Sequence, residues 1–165
     1  MQVARWRGRP PLHDLPLLCV LVGLYFNTAW LAPEATGLGI GVVDSLAQDY
    51  RYPKIYRRRR RGDDQRNDQD QRYLGWYTSP ASKPLMELTF GELLKAEDDG
   101  IRDVATAREF TTYVELDRGK HGAQKGAYDD LAMAYMGVQR VALELTPRAA
   151  GKRKKTVRGA DRYDV

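Results

Sequence analysis

Gly126-Ala127-Tyr128-Asp129-Asp130-Leu131-Ala132-Met133-Ala134 is the stretch on which the fold turns. Leu131, Met133, Ala134, Met136 and Val138 give apolar positions to a helix running from residue 129 to about 143, the strongest helical pattern in the chain. Two carboxylates stand at its head. Acids there cap free N–H groups and complement the helix dipole. A helix anchored in a core can equally hold a carboxylate rigidly toward a cleft, as a metal site requires. Chemistry alone leaves both roles open for Asp129 and Asp130.

Upstream of that helix, the glycine-rich residues 119–126 read as a loop and residues 113–116 as extended; a further element starts over 106–110. A turn at Ser79-Pro80 leads into a helix over 84–96, stopped by Asp98-Asp99-Gly100. Residues 52–56 read as a short strand, and order resumes at Tyr73-Leu74-Gly75-Trp76-Tyr77. Between them, residues 57–72 lack apolar side chains after the run Arg57, Arg58, Arg59, Arg60, Arg61, and read as a mobile basic and acidic loop. A helix over 40–48 follows the loop 34–39, and residues 28–33 suggest a buried strand. A first helix starts near His13 or Asp14, with Asp14 as N-cap and Pro16 in its first turn. Residues 2–6 alternate polar and apolar and read as extended. Alternating strands and helices predict an α/β domain over residues 1–145, followed by a basic, disordered tail over 146–165.

The length of 165 residues suits one domain with a real core. A net charge of +5 favours polyanionic partners, nucleic acid first. Cys19 is the lone cysteine and the two histidines, His13 and His121, lie far apart in the chain, so zinc chemistry built on Cys and His is disfavoured. Any metal would be held by carboxylates, which points to Mg²⁺ or Mn²⁺. Arg5, Arg7 and Arg9 before the apolar run 15–24 superficially resemble a secretory signal. Pro16, Gly23 and Asp14 interrupt that pattern, and the run falls short of a membrane span, so a buried amphipathic or core helix is expected.

Glu34 lies between Trp30-Leu31-Ala32-Pro33 and a loop with two glycines, Gly37 and Gly39. An acid at the carboxyl end of a buried strand is placed to line a crevice; alone it is equally a solvated loop residue. Residues 31–39, preceded by Gly23-Leu24-Tyr25-Phe26-Asn27, resemble the second acidic motif of phage terminase large-subunit nucleases. Tyr52-Pro53-Lys54-Ile55-Tyr56, Leu74-Gly75-Trp76-Tyr77-Thr78-Ser79 and Lys83-Pro84 are similar to the segments that follow it there. Residues 126–134 resemble the third acidic motif, with Tyr128 where the family more often has His. The order and spacing agree over roughly residues 2–142.

The resemblance implies a partial ribonuclease H-like nuclease domain, a mixed sheet flanked by helices. It implies an endonuclease cutting concatemeric double-stranded viral DNA with two Mg²⁺ or Mn²⁺ ions, working in the host cytoplasm with portal and small terminase subunit as partners and without a membrane. Glu34 takes the place of the second acid and Asp129 of the third, while Asp130 assists a second metal. The family's first acid sits on a strand upstream of residues 2–6, and no such Asp precedes Trp6; Asp14 is a substitute or merely a cap. No phosphate-binding Gly-x-x-x-x-Gly-Lys motif occurs, so the ATPase part is missing. Arg57 to Arg61 and Lys83 are the candidate DNA contacts; a solvated loop balanced by Asp63, Asp64, Asp68 and Asp70 is the alternative for the arginines. Trp76, Tyr77 and Tyr73 are better explained by core packing than by base stacking, and Ser79 and Ser82 lack a suitably spaced His/Asp set for nucleophilic chemistry. Two other functions fit the same sequence: a catalytically inactive DNA-binding remnant of that domain, and a basic α/β interaction module whose acids are helix caps.

Overall fold

Apolar spacing places the helices close to where the sequence predicts them. A computed structural model describes residues 1–58 and 73–146. Among them are five helices, α1 (Leu15–Tyr25), α2 (Gly39–Gln48), α3 (Ser82–Lys95), α4 (Val104–Thr111) and α5 (Asp130–Leu145). One antiparallel pair of strands, β1 (Tyr113–Leu116) and β2 (Lys120–Ala123), completes a mixed α/β arrangement. The tail and most of the loop expected over 57–72 lie outside the described residues.

β2 stands where the sequence predicts part of a loop over 119–126. Lys120-His121-Gly122-Ala123 has no strand pattern of its own; pairing of Tyr113 with Ala123 and Leu116 with Lys120 makes it one. The expected strands over 28–33 and 52–56 are instead extended segments held by single bridges. Leu31 pairs in parallel with Ile55, Glu34 in parallel with Trp76, and Arg57 with Leu74 and Gly75. Gly75 stands where these three segments meet, at φ 75°, and a Cβ there would lie 2.7 Å from the Pro33 carbonyl oxygen and 2.9 Å from Val43.

Two apolar clusters result. The first joins Ala35, Val42, Val43, Leu46, Tyr52, Ile55 and Leu74, with one side of α1 (Leu15, Cys19, Val20) packed on it. The second joins Met86, Phe90, Tyr135 and Met136, flanked by Trp76, Phe110 and Tyr113. Phe90 stacks on Phe110 with ring centroids 4.3 Å apart, fixing α3 against α4. Trp76 belongs to the second cluster and its ring lies 6.2 Å from Tyr56, whose neighbours Tyr52 and Ile55 belong to the first.

α1 is not the buried helix expected. Leu17, Leu21, Val22, Leu24 and Tyr25 are exposed. Asp14 makes no capping bond with its side chain: a 3-10 turn over Leu12–Asp14 runs directly into α1, with Asp14 already in helical geometry. Among the described residues no helix is long and apolar enough to cross a membrane.

Among the described residues, 2–6 pair with no strand. They form a strap fixed by side chains: Gln2 Oε1 accepts from the Arg102 and Asp103 backbone N–H groups, and its Nε2 donates to Thr106 Oγ1. Arg5 pairs with Asp103 at 3.3 Å. Val3 and Trp6 face solvent, so the polar members of the alternation carry the attachment.

Candidate functional site

Glu34 is held by its backbone. The Trp76 N–H donates to the Pro33 carbonyl at 2.7 Å, and the Ala35 N–H donates to the Trp76 carbonyl at 2.6 Å. The turn that follows closes so tightly that a Cβ at Gly39 would collide with the Glu34 carbonyl oxygen. The carboxylate itself is exposed.

Asp129 precedes α5 and is half-buried, yet its side chain caps nothing in that helix. Its Oδ2 accepts from the Ala123 N–H at 3.3 Å, tying the end of β2 to the head of α5. Glu109, on α4, performs the capping: Oε2 accepts from the Leu131 N–H at 2.7 Å and from the Ala132 N–H at 3.1 Å. Its other oxygen pairs with Arg7 at 2.9 Å, and Arg7 also reaches Asp130 at 2.9 Å. The Arg7 guanidinium lies 4.9 Å from the Tyr128 ring centroid. The positive charge at the head of α5 is thus supplied by the chain itself.

Among the described residues no three His, Cys, Asp or Glu side chains stand together in a way that could hold a metal ion. Asp129 accepts a backbone bond and Asp130 is paired with Arg7, so the described residues do not fit a complete two-metal centre.

Lys83 donates to the His121 carbonyl at 2.7 Å and lies 5.7 Å from the Tyr113 ring centroid, so it braces α3 against the hairpin. One turn on, Glu87 accepts from the Tyr113 hydroxyl at 2.5 Å, and its other oxygen lies 3.1 Å from His121 Nδ1. Burial, then this bond to Glu87, pushes the Tyr113 hydroxyl far above its ordinary value. Burial alone raises the Cys19 thiol above its ordinary value.

Of the arginine run, Arg57 and Arg58 are described; Arg59, Arg60 and Arg61 lie outside the described residues. The Arg58 guanidinium sits 5.0 Å from the Tyr77 ring centroid and 5.9 Å from that of Tyr73, so these tyrosines hold an arginine rather than fill the core. Ser79 and Ser82 serve the start of α3, with Ser82 Oγ donating to the Tyr77 carbonyl at 2.8 Å and accepting from the Ser79 N–H.

Sequence gives no sign of the roles of Glu109 and Glu87, nor of the pairing of Arg7 and His121 with them. Their partners are 20 to more than 100 residues away, and no local pattern announces such pairs. Compared with protein-family models and with curated proteins, the sequence matches none.

Proposed function

We propose that this chain is a DNA-engaging portion of a ribonuclease H-like nuclease domain of the viral terminase type. By the sequence resemblance Glu34, Asp129 and Asp130 correspond to its acids for Mg²⁺ or Mn²⁺; no three such acids stand together among the described residues, so an active centre requires them to be brought together with a ligand from elsewhere. The observation that supports this most is the place of Glu34. It ends an extended segment paired in parallel with its neighbours, and a turn that only glycine can close then opens α2. In α/β domains the carboxyl ends of parallel segments border the crevice where substrates lie. The sequence resemblance supplies the substrate class, double-stranded concatemeric DNA in the host cytoplasm, and the partners, portal and small terminase subunit.

Plasmid nicking with Mn²⁺ tests this, comparing the chain with Asp129→Ala and Glu34→Ala. Nicking that both substitutions abolish is expected; nicking unchanged by Asp129→Ala would sink the site assignment. DNA binding should fall steeply with salt, and Arg57→Ala should lower the slope of log affinity against log salt by about one. Salt-dependent binding without nicking marks the second reading, an inactive DNA-binding remnant. The hold of Arg7 on Asp130 favours that outcome, because the ion pair occupies an expected ligand. No binding at any salt would leave the basic interaction module.

A further inference from the structure

Beside the bridged segments and the end of α5 lies a cleft of about 510 Å³, lined by Trp30, Pro53, Ile55, Arg57, Glu144 and Leu145, with Tyr56 at its wall. We propose that it receives an unpaired nucleobase, guanine foremost, from the nucleic acid that the chain engages. This rests on the DNA-engaging function above and deepens it by naming what part of the substrate enters and where.

The volume lies within the range of about 300–1,000 Å³ typical of ligand pockets. Trp30 leaves half of its surface in water, and the cleft it lines mixes apolar Pro53, Ile55 and Leu145 with polar Tyr56, Arg57 and Glu144. An exposed indole beside Pro53, Ile55 and Leu145 is a stacking platform for a flat ring, and stacking on tryptophan is how proteins hold unpaired bases. Arg57 lines the same cleft and begins the arginine run, so a cation stands where the phosphates flanking a captured base would pass.

Glu144 supplies selectivity. Its Oε2 accepts from the Tyr56 hydroxyl at 2.5 Å and its Oε1 accepts from Arg140 Nε at 3.0 Å, which fixes the plane of the carboxylate. Each carboxylate oxygen takes two bonds, so among the described residues one acceptor position remains on each. Guanine offers two parallel donors on one edge, its N1–H and 2-amino group, matching a pair of carboxylate oxygens. Thymine presents a single N–H flanked by carbonyls, which the carboxylate repels. A well-made bidentate pair of this kind discriminates between bases by roughly tenfold or more.

Fluorescence anisotropy with the full chain provides the test. The probes are an oligothymidylate, the same strand with one central guanine, and a mixed-sequence duplex. The guanine strand should bind about tenfold tighter than the all-thymine strand. Trp30→Ala should weaken both strands by about tenfold while duplex affinity stays within about twofold. Glu144→Gln should erase the guanine preference, bringing the two strands to equal affinity. Far-UV circular dichroism identifies a variant that fails to fold, and Trp30→Phe, which keeps a stacking ring, should retain most of the affinity. Equal binding of the two strands by the parent chain overturns the proposal, as does an equal loss on strands and duplex in Trp30→Ala. Duplex binding alongside either result leaves the DNA-engaging function standing; loss of all nucleic-acid binding removes both.

Discussion

Glu109 shows how much one side chain can carry. It is buried, caps two N–H groups of α5 and neutralises Arg7. Glu109→Ala leaves two buried helix donors without their acceptor and Arg7 with Asp130 as its remaining partner, which should cost about 3 kcal/mol in urea denaturation. Arg7→Ala removes only a half-exposed partner and should cost about 1 kcal/mol or less. Asp103 gives the pH signature. The Thr106 backbone N–H, then the Thr106 hydroxyl, then Arg5 hold its carboxyl below the ordinary 3.8. A carboxyl depressed in the folded state stabilises fully above its unfolded value, and that contribution is lost as pH falls through the folded one. Stability of Asp103→Asn should therefore fall less steeply than that of the parent chain as pH drops below about 4; parallel curves would show that Asp103 is not the group involved. Asp103 lies three residues before Thr106, the spacing of a local cap. Glu109 carries no such local sign, and Asp129, the acid that local spacing does favour as a cap, binds β2 instead.

At the scale of elements, Gly75 and Gly137 should respond in opposite directions to the same substitution. Gly75→Ala forces a methyl against the Pro33 carbonyl and Val43 at a positive φ, and should cost about 2–4 kcal/mol. Gly137 lies inside α5 with open space around its would-be Cβ, so Gly137→Ala should stabilise by about 0.5–1 kcal/mol. Thermal melts of the two variants measure both. The contrast follows how each element is specified. α5 was legible because its apolar spacing is local, and α2, α3 and the extended β1 were legible for the same reason. β2 was not, because Lys120-His121-Gly122-Ala123 becomes a strand only when β1 supplies the partner. Residues 28–33 and 52–56 read as extended from sequence, but the third bridged segment around Leu74–Trp76, with the left-handed Gly75 where the bridges change direction, is marked in sequence only by a glycine. Around the candidate site, Glu34 follows an extended segment held by isolated bridges rather than the buried strand expected, and the pairing of Arg7 with Asp130 spans 123 residues and leaves no local trace.

Across the whole molecule, the two apolar clusters are joined where Trp76 meets Tyr56. Leu46 and Met136 are fully or almost fully buried, one in each cluster. Leu46→Ala and Met136→Ala should each cost about 3 kcal/mol. Because Trp76 connects the clusters, both substitutions should shift one shared transition, with tryptophan fluorescence and circular dichroism coinciding. Two separated transitions would show that the clusters melt independently. The Glu109 cap carries this linkage into the time domain. The amide hydrogens of Leu131 and Ala132 are shielded by a residue of α4, so α5 cannot protect its own first turn. Their deuterium exchange should report the undocking of α4 from α5, and the Glu109→Ala variant should exchange them faster while amides in the middle of α5 exchange more slowly.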